Sequence, residues 1–217
     1  MYNAVIFNSN LFFIIKYCNI LFNNFENIKL VGIASNSEEL SFICNSKDVN
    51  LIILDSESSL KSDLHQSLNN IGIKIIISNN SSIIKRTNTL IFPSNIDKDE
   101  FINVLNKFLV KYNSLIAKKK IHSVLTDLGF NFKLKGTTYL LEAILYSYLN
   151  NQNYIYDNLE KNIYPHIAKK FNVNLSIVKH SIVRSINNAN VNSLKKHFNY
   201  LEKFTNKILI IEIVNLI

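Results

Sequence analysis

Five short apolar runs, "NAVIF", "IKLVGIA", "NLIILD", "GIKIIIS" and "NTLIF", follow one another through the first half of the chain. Runs of this length, bounded by polar residues, read as strands buried on both faces. The stretches 11–23, 36–46, 60–70, 81–86 and 97–113 carry helical period instead. Glu38 and Glu39 fall in the first turn of the second stretch, where acidic side chains suit the helix dipole. Strict alternation of strand and helix predicts a flavodoxin-like, doubly wound (βα)5 domain with a parallel sheet, an α/β fold over residues 1–114. Such sheets place ligand chemistry beyond the carboxyl ends of their strands, so the residues that close each run are the ones to inspect.

The strand pattern stops at "KYNSLIAKKK". From there the period is helical, over 117–128, 138–150, 157–171, 175–188, 191–203 and 205–216. Gly129 closes the first of these and Gly136 precedes the second, as helix stops and turns require. The reading is α/β then all-α, with a helical bundle over residues 118–217. A shift of composition marks the boundary; no Pro/Gly/Ser tether is present. Gly and Pro number only 4 and 2 and the hydrophobic fraction is 47%, values of an ordered chain that buries a core in each half.

Charge divides at the same boundary. Residues 1–115 hold 10 Lys/Arg and 10 Asp/Glu, whereas 116–217 hold 14 and 6, so the whole net charge of +8 lies in the second half. A polyanionic partner for that half alone is the expectation. Cys18 and Cys44 lack CxxC spacing, which suits a reducing, cytoplasmic setting. The apolar N-terminus has no basic leader and is broken by "NSN", so it does not read as a signal peptide. No run reaches the ~18 apolar residues of a membrane helix, and "ILIIEIVNLI", with Glu212, reads as a packed helix. His65, His122, His166, His180 and His197 show no metal-ligand spacing, and no GxGxxG, phosphate-loop or nucleophile motif occurs. Neither a catalytic residue nor a metal site of that kind is expected, and the chain does not read as an independent enzyme.

"IYPHIAKKFNVNLSIVKHSIVRSI", residues 163–186, has the spacing of two helices meeting at a tight turn. A helix-turn-helix needs a small residue in its first helix, a residue tolerant of left-handed backbone in its turn, and apolar residues that lock the pair. Ala168, Asn172 and Val173 meet the first requirements; Ile167, Phe171, Val178 and Ile182 meet the last. Asn174 stands where it can cap the second helix. Residues 175, 178, 182 and 186 face inward at helical spacing, leaving Ser176, Ile177, Lys179, His180, Val183 and Arg184 outward. An ordinary corner between two helices would show the same spacing.

Asp55 closes the third run, and the five βα units with "NLIILD" resemble the receiver domains of response regulators. The resemblance makes Asp55 the phosphoacceptor and Ser78 the hydroxyl after the fourth strand, with Mg²⁺ or Ca²⁺ at Asp55 as the cofactor to consider. The family's acidic pair falls on Asn8 and Ser9, and its lysine on Phe92. Only one carboxylate then remains for a cation that wants several hard oxygen ligands.

"LGFNFKLKGTTYLLEAI" at 128–144 and "YPHIAKKFNV" at 164–173 resemble the DNA-binding effector domain of the stage zero sporulation protein A family, the master sporulation response regulators. The resemblance runs from about 118 to at least 204. It implies a transcription factor of a two-component phosphorelay, a homodimer at least on DNA, with duplex DNA and a phosphorelay protein as partners. It places the second helix in the major groove, with the six outward residues facing bases. Lys133, Lys135, Lys169, Lys170, Lys195 and Lys196 are the candidate phosphate contacts. Ile177 and Val183 stand where the family has arginines, Lys179 where it has Glu and His180 at a third Arg. Arg184 lies one residue past a family arginine position. Because Arg donates two hydrogen bonds to guanine and Ile donates none, the implied regulator has an altered sequence preference. The competing expectation is a protein-interaction module that no longer reads DNA and titrates phosphorelay partners or a sister regulator.

Overall fold

The computed structural model describes residues 1–60, 64–79, 81–150, 159–199 and 203–217. Two compact units divide the chain, Met1–Tyr112 and Asn113–Ile217.

The first unit holds a six-stranded sheet: β1 (Tyr2–Phe7), β2 (Ile28–Ala34), β3 (Leu51–Asp55), β4 (Ile73–Ser78), β5 (Ile84–Lys85) and β6 (Thr89–Pro93). Their spatial order is β2-β1-β3-β4-β6-β5. All pairs are parallel except β5 with β6. Helices α1 (Leu11–Asn24) and α2 (Ser37–Ser46) both begin at asparagines. The Asn10 side chain accepts from the amides of Phe12 and Phe13, and that of Asn36 accepts from Glu39. Glu39 in turn accepts from the Ser35 amide and hydroxyl at 2.8 and 2.9 Å, a reciprocal cap that holds its carboxyl below the usual value.

Alternation along the strands explains the two cores. Ala4, Ile6, Ile53, Ile75 and Phe92 pack with α1 and with Phe101, Leu105 and Leu109; Val5, Phe7, Ile52 and Leu54 pack with Leu40 and Leu68 on the other face.

The sequence expectation fails at two places in this half. No helix forms over 81–86: Ile84 and Lys85 pair antiparallel with Ile91 and Leu90, making the sheet mixed. The β-branched Ile pair before "TNT" suits a strand and hairpin, closed here by Arg86 N–H donating to Thr89 O at 2.8 Å. The helices expected at 97–113 and 117–128 are one element, α4 (Lys98–Asp127), 30 residues long. Neither Gly nor Pro occurs within it, and Lys, Ala and Leu across 114–120 favour continued helix. Of the helix expected at 60–70, residues 61–63 lie outside the described residues; a turn at Ser58–Leu60 and α3 (His65–Asn70) flank them.

The second unit is helical: the end of α4, α5 (Lys135–Leu149), a π-type turn (Leu159–Ile163) leading into α6 (Tyr164–Phe171), α7 (Leu175–Asn187), α8 (Val191–His197) and α9 (Asn206–Asn215). Residues 157–158 and 200–202 of the expected helices lie outside the described residues. α5 is the central element, buried from Tyr139 to Leu145 against Ile121, Ile167, Val178, Ile182 and Leu209. At the end of α4, Gly129 adopts φ +81°, and Phe130 N–H and Gly129 N–H return to Leu125 O and Thr126 O, both at 2.9 Å. This is the six-to-one and five-to-two bonding of a glycine-terminated helix. Among the described residues no helix is long and apolar enough to cross a membrane.

Candidate nucleic-acid interface

The turn between α6 and α7 is built by its backbone. Asn172 sits at φ 51°, ψ 52°, and among the described residues it is the sole non-glycine with positive φ. Val173 N–H donates to Ala168 O at 3.0 Å and Asn172 N–H to Lys169 O at 3.4 Å, closing α6 by the same bonding that Gly129 uses. Asn tolerates this conformation better than other side-chain-bearing residues, which explains its place in the motif. Pro165 opens α6, where its missing N–H costs nothing. Asn174 precedes α7 in extended conformation, but its side chain makes no cap hydrogen bond; the expected side-chain cap is absent. Its carbonyl accepts from Ile177 and Val178 instead.

α7 turns Val178, Ile182, Ser185 and Ile186 inward. Ser176, Ile177, Lys179, His180, Val183 and Arg184 are all exposed. Two features seat the helix on α5. A Cβ on Gly136 would lie 1.9 Å from Ser181 O, so the two backbones meet at a distance that only glycine permits. One turn further, the buried Thr137 and Ser185 hydroxyls are 2.6 Å apart, and Thr137 also donates to Asn131 O at 2.7 Å.

The lysines divide into two groups. Lys133, Lys135, Lys169, Lys195 and Lys196 are exposed, the last two in the final turn of α8. Lys170, expected to contact phosphate, instead lies 2.5 Å from Glu142, which also holds Lys118 at 3.0 Å. Burial raises the Glu142 pKa, but hydrogen bonds and charge from the two lysines outweigh it, and the carboxyl is held below its usual value. Lys179 pairs with Glu160 of the π-type turn at 2.5 Å, and that hydrogen bond and charge raise the pKa of the ammonium. Neither acid was singled out from sequence, although an acid inside "YLLEAIL" already signals a buried charge that needs a partner.

Glu142 gives the second unit an acid-sensitive contact. Its folded pKa is depressed, so its contribution is present above the unfolded value of 4.5 and is lost as pH falls below that toward the lower folded value. Urea unfolding at neutral pH and near pH 4 should show this loss, and Glu142→Gln should remove most of it. The substitution itself should cost about 1–2 kcal/mol at neutral pH, modest because both lysine side chains are roughly half exposed, at 51% and 45%.

In the first unit, Asn8 and Asp55 meet at the carboxyl ends of β1 and β3. The Asn8 amide donates to Asp55 Oδ2, and Ser58 N–H donates to Oδ1 at 2.6 Å. Asn8 Oδ1 accepts from Asn10 N–H at 2.8 Å, tying the pair to the start of α1. Ser78 is buried at the end of β4, and Ser9 is exposed. Phe92 is fully buried, its ring 4.5 Å from Phe101, so the place of the family's lysine is part of the apolar core. Both Asp55 oxygens accept hydrogen bonds, and an amide N–H points where a cation would need an anionic oxygen. The set does not fit Mg²⁺ or Ca²⁺. Among the described residues no three His, Cys, Asp or Glu side chains are grouped to hold a metal ion.

Residues 121–217 match the family model described as sporulation initiation factor Spo0A C terminal. A solved structure of RcsB from Salmonella enterica serovar Typhimurium, bound to promoter rprA in the presence of phosphomimetic BeF3−, aligns with 100% of this chain and 100% of that one. Its sequence identity is 12% and its TM-score 0.41.

Proposed function

We propose that this chain, whose residues 121–217 match the Spo0A C-terminal family model, is a DNA-binding transcription regulator that presents α7 to the major groove. The observation that carries this reading is the exposed face of α7 within that family's domain, in the half of the chain that holds all of the +8 net charge. His180 and Arg184 are donors for base edges, and Lys179 joins them only by leaving Glu160; Ile177 and Val183 offer only apolar contact, suited to a thymine methyl. Ser176 begins the face. Lys133, Lys135, Lys169, Lys195 and Lys196 contact phosphates and set register; Lys170 joins them only by leaving Glu142. We assign the receiver-like domain to 1–114 and the effector to 118–217, in a non-enzymatic, cytoplasmic protein that binds DNA as a homodimer. Gel-shift titration of duplex DNA across salt concentrations tests the reading: no affinity at low salt, or affinity indifferent to salt, overturns it.

In this reading the receiver-like unit has lost phosphoryl control at Asp55, because the carboxylate is held by Asn8 and Ser58 and, among the described residues, no further carboxylates group with it to hold a cation. Incubation with a small phosphodonor and Mg²⁺ should leave the intact mass unchanged, and Asp55→Ala should behave identically. An added phosphoryl mass that Asp55→Ala abolishes would restore a working phosphoreceiver and a phosphorelay partner.

The exposed apolar pair Ile177 (46%) and Val183 (39%) favours a second reading, a protein-interaction module that titrates relay proteins or a sister regulator. It leads if Ile177→Arg and Lys179→Glu leave DNA affinity unchanged but abolish capture of such a partner.

A further inference from the structure

The π-type turn that leads into α6 is held by its two ends. Leu159 and Ile163 are buried in the core of the second unit, and Glu160 between them is exposed. Its carboxylate takes the ammonium of Lys179, 19 residues further along the chain. No helical spacing pairs residues so far apart, so the contact exists only because the fold sets the turn beside α7. Glu160, Lys179 and Val183 line one open cleft. The acid therefore borders two of the side chains that α7 offers to bases.

We infer that Glu160 competes with DNA for Lys179 and so lowers the affinity of the second unit for duplexes of every sequence. This gives the DNA surface of the proposed function an acidic member, and it rests on that reading. A lysine adds to DNA affinity by displacing the cations condensed on phosphate, which takes an uncompensated positive charge. Lys179 and Glu160 together carry none. The hold is felt by the lysine, whose pKa is raised by the hydrogen bond and charge of the carboxylate. Acids are scarce in this half, 6 against 14 Lys/Arg over residues 116–217, and one of the six sits on a base-facing lysine. Glu142 is a different case: its carboxylate is buried and joins Lys118 and Lys170 within the unit. The Glu160–Lys179 pair is about half exposed on both sides, so DNA can reach and break it. An exposed ion pair leaves its lysine engaged in most molecules but not in all. Competition with it therefore scales affinity by about two- to sixfold and does not abolish binding.

Fluorescence anisotropy titration of the full chain with a labelled duplex of random sequence, repeated across salt concentrations, tests it. Glu160→Gln should tighten binding about two- to sixfold and steepen the fall of log K with log salt by about 0.9, as one further engaged cation does. Both side chains are about half exposed, so circular dichroism should be unchanged. The second arm makes the same change in Lys179→Gln protein, where most of the gain should vanish because the lysine that it frees is gone. A gain of equal size in both backgrounds overturns the inference, since Glu160 would then act only by repelling phosphate. Affinity and slope indifferent to Glu160→Gln also overturn it, while leaving the DNA-binding reading intact. Absence of duplex binding by the wild type and every variant overturns both.

Discussion

Gly136→Val should unseat α7 and cost the second unit about 3 kcal/mol or more, detected as an early transition in urea unfolding. The position is inside the first turn of α5, where alanine and valine would ordinarily be better than glycine by helix propensity. Propensity loses here because a Cβ would lie 1.9 Å from Ser181 O and 2.5 Å from Ser181 C. Both are backbone atoms, so no rotamer change can relieve the overlap, and the two helices must separate. Separation also pulls apart the buried Thr137 and Ser185 hydroxyls, leaving polar groups to be satisfied anew. Gly136→Ala should follow in the same direction with a smaller loss. Ser181→Ala should be near neutral, because the clash is with the Ser181 carbonyl. If Gly136→Ala proves neutral or stabilising, the close approach of α5 and α7 is not what holds α7 in place.

The second large effect concerns salt. Setting aside Lys170, which pairs with Glu142, the candidate phosphate set holds five exposed lysines, and engagement of all five would give log K a slope of about −4.5 against log salt. Affinity for duplex DNA should then fall on the order of 10²–10³-fold between 50 and 200 mM salt. Replacing Lys169, Lys195 and Lys196 by Gln should lessen that slope by about 3 and weaken all sequences alike, because phosphate contacts position the protein without reading bases. Arg184→Ala should instead change which sequences bind best, with a discrimination loss of about 1–3 kcal/mol at the position it reads. A slope that survives the triple substitution would place the electrostatic contacts elsewhere on the second unit. Ile177→Arg adds a bidentate donor and should shift preference toward guanine.

Lys170 of the expected phosphate set and Lys179 of the expected base-facing set show why a lysine count alone overstates the cations free to meet DNA. Both belong to the basic second half by sequence, and in the fold each faces a carboxylate, Glu142 and Glu160, from an element distant in the chain. The helical spacing of α7 was legible because one buried face imposes a 3.6-residue period on any sequence. The strands were legible because burial on both faces makes them continuous apolar runs. The stretch 81–86 was not, since six residues hold too few turns for period to separate helix from strand. The gap expected between helices 97–113 and 117–128 does not form, because a change of composition does not end a helix; backbone chemistry does, and that occurs at Gly129.

Sequence by itself determined the alternation of strands and helices, the left-handed turn at Asn172, the outward face of α7 and the basic character of the second half. These follow from local periodicity, backbone preference and composition, which act within a few residues. Tertiary structure alone decided that Gly136 is a contact point, that Glu142 gathers Lys118 and Lys170, and that Asn8 holds Asp55. Each of these joins residues 24 to 48 positions apart. Such contacts depend on which faces the whole fold brings together, and no short-range pattern encodes that.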